Sequence, residues 1–280
     1  MDKSWFFIPG SKEKFLAKAP ELKADTIIFD LEDSVVIEEK DQAREKIKPW
    51  LNNKDISSKK YVRVNEVNST FFIDDIRALV NENLDGIILP KTNNTDDIKI
   101  LDYLITTFEK QNNLKLNHIK IVPLIETSSG LLNALDIASA CKRIEAMAFG
   151  AEDYMLDLGI PGDSNQSLMH ARSTLVAASS AAEINQPVDS VYTDFNDEEG
   201  LKEASELSRG FGFQGRLVIH PKQIETVNKV YAPTSSEIEE AEKIVDAFKA
   251  SIDDGDGAIE VDGKMIDPPV YERAKKLLEM

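Results

Sequence analysis

Eight short, mostly apolar runs punctuate this 280-residue chain, the last of them ending at residue 219, with stretches of helical periodicity between them. The runs fall at 4–8, 26–29, 61–64, 86–89, 119–125, 146–149, a weaker one at 188–192, and 217–219. A strand exposed on one face alternates apolar and polar residues, whereas a parallel strand covered on both faces reads as a continuous run. Between the runs, Ile98, Leu101, Ile105 and Phe108 share one helical face, and the alanine-rich segment 172–184 favours helix by propensity. Strands alternating with helices allow an open doubly wound sheet or a closed TIM-type (β/α)8 barrel, and the count of eight favours the α/β barrel.

Beyond the eighth run the pattern changes. Thr234-Ser235-Ser236 followed by Glu237 and Glu239 reads as a capped helix start, with Ile238, Ala241, Val245 and Phe248 as its buried face. A loop at 253–257 leads to two short apolar segments, 259–261 and 264–266, joined by Asp262-Gly263, the signature of a hairpin with a type I′ turn. The expected organisation is a barrel over 1–230 and a C-terminal helix–hairpin extension over 231–280.

Charge narrows the function classes. Lys and Arg total 33 against 50 Asp and Glu, a formal charge of −17 that repels nucleic acid and anionic lipid surfaces. The apolar runs fall far short of the roughly 18–20 residues that span a bilayer, and the run before Pro9-Gly10 is too short for a secretory signal, so a cytoplasmic protein is expected. The sequons at Asn68 and Asn165 then carry no meaning. The one cysteine, Cys141, forms no internal disulfide; its apolar neighbours favour a buried inert thiol over a nucleophile.

In a barrel, chemistry concentrates at the carboxyl ends of the strands. There the sequence places Pro9-Gly10-Ser11, then Asp30, Glu32 and Asp33, then Arg63 and Asn65, then Pro90-Lys91, then Glu126, Glu152-Asp153 and His220-Pro221. Oxygen ligands suit hard cations, and Glu126 with Asp153 is the best pair for Mg2+; the competing reading makes them charges on the N-termini of following helices. Zinc is disfavoured, because His118, His170 and His220 are scattered. Arg63 at an apolar strand end calls for an anion, either a ligand or a salt bridge to Asp30, Glu32 or Asp33. Glu32 and Asp33 orient water around a metal or form a plain acidic loop. Gly210-Phe211-Gly212-Phe213-Gln214-Gly215 matches a dinucleotide fingerprint by letter but precedes a strand, so turn glycines are the better reading. The loop at 253–257 lacks the bidentate Glu of a calcium loop.

Taken together, eight segments resemble the citrate lyase β-subunit-like family, within the HpcH/HpaI-type aldolases. They are Ser4-Trp5-Phe6-Phe7-Ile8-Pro9-Gly10, Phe29-Asp30-Leu31-Glu32-Asp33-Ser34-Val35, Val62-Arg63-Val64-Asn65, Leu89-Pro90-Lys91, Ile125-Glu126-Thr127, Phe149-Gly150-Ala151-Glu152-Asp153-Tyr154, Ile219-His220-Pro221-Lys222-Gln223 and Asp262-Gly263-Lys264-Met265-Ile266-Asp267. The resemblance implies a barrel, commonly trimeric, that makes or breaks a carbon–carbon bond beside an acyl thioester of coenzyme A or acyl-carrier protein (ACP). It further implies that Glu126 and Asp153 bind Mg2+, that Arg63 holds the thioester carbonyl and its enolate, and that Asp267 crosses a subunit interface as acid/base. Lys12, Lys18 and Lys91 are candidates for the coenzyme phosphates, with solvated surface the alternative for the first two.

The chemistry suits these residue types, since a retro-Claisen cleavage needs a deprotonated hydroxyl and a stabilised enolate but no covalent nucleophile. The leading expectation is a citryl-CoA (or citryl-ACP) lyase releasing oxaloacetate and an acetyl thioester. A malyl-CoA-type lyase, synthase or thioesterase, a pyruvate aldolase, and a non-catalytic carrier-docking subunit follow. Two features bear on substrate choice. Lys3 stands where many relatives carry arginine and loses the bidentate fork if that position grips a carboxylate. The segment 156–168 is where the acid portion is expected to be sorted.

Overall fold

In the computed structural model, residues 2–160, 165–254 and 257–279 are described. Eight strands, β1 (Ser4–Pro9), β2 (Thr26–Asp30), β3 (Lys59–Arg63), β4 (Gly86–Leu89), β5 (Lys120–Ile125), β6 (Ala148–Phe149), β7 (Val188–Asp189) and β8 (Gly215–Val218), close a parallel barrel in chain order. Every expected run carries a strand. The weak seventh shortens to two residues, and helix Asn165–Ala181 ends before Ile184, which follows it in the connection to β7. Helix Thr95–Gln111 buries Ile98, Leu101, Ile105 and Phe108 and begins with a full capping box from Asn94 and Asp97.

Strand periodicity sorts the side chains into two cores. Outward-facing Phe6, Ile8, Ile27, Phe29, Val62, Ile87, Leu89, Ile121 and Phe149 join the large core under the helices. Trp5, Ile28, Tyr61, Ile88, Val122, Leu124, Ala148, Val188 and Leu217 point inward and fill the barrel. At the floor, the Trp5 and Tyr61 rings meet edge to face at 5.0 Å, and the Tyr61 hydroxyl donates to Glu145 Oε2 at 2.6 Å. Gly86 makes room for that ring, since a Cβ there would lie 2.1 Å from Tyr61 Cε1.

The same two-residue period, carried one step further along each strand, aims Asp30, Arg63, Glu126, Gly150, Ser190 and Ile219 at the carboxyl mouth. Register reinforces this: Pro9 pairs with Asp30 and Asp30 with Arg63 on adjacent strands. Away from the mouth, Arg143 is clamped by Glu109 at 2.6 and 2.8 Å and by Asp102 at 2.6 Å, tying helix Thr95–Gln111 to the approach to β6.

The chain divides into two compact units, 2–231 and 232–280. In the second, helix Ser235–Asp254 starts from Thr234, whose hydroxyl and amide exchange hydrogen bonds with Glu237. Strands β9 (Ile259–Val261) and β10 (Lys264–Ile266) pair antiparallel, and Asp262 and Gly263 both take positive φ (50° and 79°), as a type I′ turn requires. Helix Pro268–Leu278 completes the unit. Ala241, Val245 and Phe248 are buried as the helical spacing predicts, but Ile238 is 37% exposed and Ile244 takes its place in the core. No helix among the described residues is long and apolar enough to cross a membrane.

Candidate active site

A cavity of ≈ 410 Å³ opens at the carboxyl mouth, lined by Phe7, Asp30, Asp33, Arg63, Glu126, Gly150, Glu152, Asp153, Ser190 and Ile219 among others. Thus the structure brings Arg63, Asp33, Glu126 and Asp153 to one surface. A second hollow, ≈ 530 Å³, lies at the opposite end around Lys59, Tyr61 and Glu145, where Lys59 already pairs with Asp2 and Glu145.

Arg63 is held in a cage of carboxylates. Its Nε and Nη2 donate to the two oxygens of Asp30 at 2.7 and 2.8 Å, and its Nη1 lies 3.0 Å from Glu32 Oε2 and 3.3 Å from Asp33 Oδ2. Both readings of this arginine therefore have a physical basis: it makes the salt bridge, and it still lines the cavity. The Phe7 ring lies 4.8 Å from the guanidinium carbon, a cation–π contact on the cavity side. Burial works against charge in Asp30, but Arg63 and the amides of Glu32 and Ser34 outweigh it and hold the carboxyl below its usual range. Arg63 is kept firmly charged by the same partners in spite of its own burial.

Glu126 follows β5 and is 2% exposed. Its Oε1 accepts the Lys91 amide at 2.6 Å, and Lys91 holds that amide in place from a left-handed backbone, φ 48°. Burial first, then the neighbouring charges of Glu32 and Asp153, push the Glu126 carboxyl up to about 8 against the pull of the Lys91 amide and Arg63. Asp153 sits in the first turn of helix Ala151–Leu158, where the helix dipole favours its charge, and it also lines the cavity. Glu32 lies behind the cavity wall, 6% exposed, with Lys91 Nζ on its Oε1 at 3.0 Å. Burial raises its carboxyl above the usual value, with Asp33 adding to the rise and Arg63 and Lys91 opposing it.

Other expectations fall elsewhere. Lys12 is exposed, 3.8 Å from Glu39 Oε2, and Lys18 is exposed; neither lines the cavity. The Lys91 ammonium is turned onto Glu32 rather than toward the cavity. Asp267 belongs to the second unit, where its side chain accepts the Val270 amide at 3.2 Å and caps helix Pro268–Leu278. Lys3 precedes β1 at the amino end of the barrel, about 20 Å of strand from the mouth, so it does not grip a substrate carboxylate there. Cys141 is half-buried rather than buried, with burial pushing its thiol up. Of the segment 156–168, residues 161–164 lie outside the described residues; Leu156 stands 77% exposed. The glycines at 210–215 serve backbone geometry: Gly212 ends helix Glu198–Phe211 with φ 107°, and a Cβ at Gly215 would meet Lys3 O at 2.3 Å.

The sequence alone gives Gly150 no evident role. A Cβ there would lie 2.6 Å from both Cβ and Oε2 of Glu126, so only glycine allows the carboxylate to rest against the start of the Asp153 helix. The signal was available in the strand–Gly–helix order, but its reason is a tertiary approach. Among the described residues no group of three or more His, Cys, Asp or Glu converges as a metal cage. Two carboxylates without a cage fit a hard cation that completes its shell with water and substrate oxygens, and the burial and like-charge crowding that raise the Glu126 carboxyl are what a cation between them would relieve.

A family model described as HpcH/HpaI aldolase/citrate lyase matches residues 3–221. The citrate lyase subunit beta of Leuconostoc mesenteroides subsp. cremoris is 37% identical over 280 residues, covering 99% of this chain and 92% of that one. A (3S)-malyl-CoA thioesterase of Cereibacter sphaeroides is 35% identical over 266 residues, covering 95% and 89%. Among solved structures, protein CitE from Mycobacterium tuberculosis in complex with magnesium, acetoacetate and coenzyme A superposes with a TM-score of 0.81 at 28% identity, covering 99% of this chain and 97% of that chain.

Proposed function

The chain belongs to the HpcH/HpaI aldolase/citrate lyase family, and from that premise we propose that it is a Mg2+-dependent carbon–carbon lyase cleaving a citryl thioester to oxaloacetate and an acetyl thioester. The observation that carries this reading is the convergence of Glu126, Asp153 and Arg63 on one cavity, with the Glu126 carboxylate seated against Gly150. Glu126 and Asp153 would hold Mg2+, which when bound would supply Lewis-acid polarisation of the acid portion's oxygens. The protein's own groups do the remainder. Arg63, fixed in orientation by Asp30, presents a permanent positive charge where an enolate oxygen develops, so no reorganisation is needed as charge appears. Its Nη1 contact with exposed Asp33 is the one most easily exchanged for a substrate oxygen. Phe7, Leu124, Val191 and Leu217 give the cavity apolar walls that exclude water from that oxygen.

As acid/base we assign Asp267, supplied by a neighbouring subunit of a homotrimer, which gives the C-terminal unit a catalytic purpose. Lys12 and Lys18 are the surface cations available to the phosphates of a coenzyme A handle, and a carrier protein is the alternative handle. A cytoplasmic location follows from such substrates. The thioesterase relative supports a second reading, a malyl-thioester enzyme using the same site.

The test incubates the protein with citryl-CoA or malyl-CoA, with Mg2+ or EDTA, and follows oxaloacetate, glyoxylate, malate and free thiol. Mg2+-dependent oxaloacetate from citryl-CoA, abolished by Glu126→Ala and Asp153→Ala, is the expected result. Malate with free thiol from malyl-CoA alone would replace it with the second reading, and full turnover in EDTA would refute both.

A further inference from the structure

Lys91 touches both buried glutamates of the mouth. Its amide donates to Glu126 Oε1 at 2.6 Å, while its ammonium lies 3.0 Å from Glu32 Oε1. To do both, the backbone at Lys91 adopts φ 48°, a conformation that a residue with a Cβ rarely takes and that directs amide and side chain to neighbouring carboxylates. The other oxygen of Glu32 has no hydrogen-bond partner of good geometry although it lies 3.0 Å from Arg63 Nη1. Glu32 is thus a third carboxylate beside Glu126, kept out of the cavity lining by two cations, of which Lys91 is the more exposed and the more easily displaced.

The geometry points to Lys91 as a positioning residue that sets the cation affinity of the site, by clasping Glu32 and so restricting the metal to Glu126 and Asp153. This rests on the metal site proposed above and replaces the coenzyme-phosphate role expected for Lys91. A cation held by two carboxylates keeps coordination positions for substrate, whereas a third carboxylate would tighten binding and occupy one of them. The sign of the prediction is therefore opposite to that for an ordinary supporting residue: removing Lys91 should strengthen metal binding while weakening catalysis.

Mn2+ binding to the full-length protein, measured by the electron paramagnetic resonance of the free ion and by calorimetry, tests this without turnover. Lys91→Met should bind Mn2+ about tenfold more tightly than wild type, because a charge is lost beside the ion and Glu32 is released. Lys91→Arg should stay near wild type. In a Glu32→Gln background the tightening on removing Lys91 should shrink to about twofold, the remainder being simple charge. Lys91→Gln serves as the second variant should the methionine form fold poorly. Unchanged or weaker Mn2+ binding in a folded Lys91 variant would overturn the inference and leave the metal site standing. Absence of Mn2+ binding in wild type would overturn both.

Discussion

Replacing Gly150 by alanine isolates the role of a single approach distance. The backbone there has φ −102°, which alanine accepts, so any effect comes from the added Cβ. That atom would sit 2.6 Å from Glu126 Cβ and Oε2, and ordinary contact begins near 3.4 Å, so the glutamate must yield by about 0.8 Å. Glu126 Cβ cannot swing aside, being one bond from a backbone pinned where the Gly150 amide meets Ile125 O at 2.9 Å. Overpacking of this kind costs about 1–3 kcal/mol, a fall in Tm of roughly 2–10 °C. Metal-ligand distances tolerate only about 0.2 Å, and a misplacement near 1 Å costs on the order of 10²-fold in rate. Gly150→Ala should therefore fold, bind Mg2+ at least about tenfold more weakly by calorimetry, and lose about 10²-fold in kcat. A folded variant with wild-type Mg2+ affinity and turnover would refute the reasoning.

Further predictions bear on the charge network and the scaffold. Arg63→Lys removes the two-pronged grip of Asp30 and should lower kcat by about 10²-fold or more with a smaller change in KM, measured by steady-state kinetics. Arg143→Met strands buried Glu109 with only the amides of Asn117 and Ile119 and should cost about 3–5 kcal/mol, read as a Tm loss of roughly 6–15 °C. The pH dependence of that loss has a definite sign. Burial pushes Glu109 up, but Arg143 and the two amides win and set its folded value below the ordinary 4.5. Stability from this group is thus present above about 4.5 and fades as pH falls through the folded value, so the gap between wild type and Arg143→Met should narrow in acid. Gly210→Ala, in helix Glu198–Phe211 with nothing within 4 Å of the new methyl, should gain about 0.4–1 kcal/mol in chemical denaturation.

The barrel was legible because its strands are covered on both faces: runs such as 86–89 and 121–125 have no reason to be continuous in a one-sided sheet. Their position at the carboxyl ends of the apolar runs then placed Arg63 and Glu126 at the mouth before any contact was known. What the sequence concealed was the direction of long side chains and the reason for short ones. Lys91 follows an apolar strand as a phosphate-binding lysine would, yet its ammonium turns back to Glu32, a partner 59 positions away that spacing does not reveal. Gly150 reads as an ordinary helix start, and the Glu126 carboxylate it accommodates arrives from another strand. Ile238 fell on the expected face of its helix, but burial of the first turn depends on what packs around it, which helical period does not encode.

The Trp5–Tyr61 floor of the barrel has a kinetic consequence. Packed rings and the inward aliphatics of β4, β5 and β8 fill the interior beneath the reacting groups, so no passage leads from the site through the barrel. A cleavage enzyme built this way makes two molecules from one in a space that has no back exit. Both fragments therefore leave by the carboxyl mouth, and the reverse condensation loads both through it, so the plug of the barrel confines all traffic to one end of the site, far from any residue that touches the bond being broken.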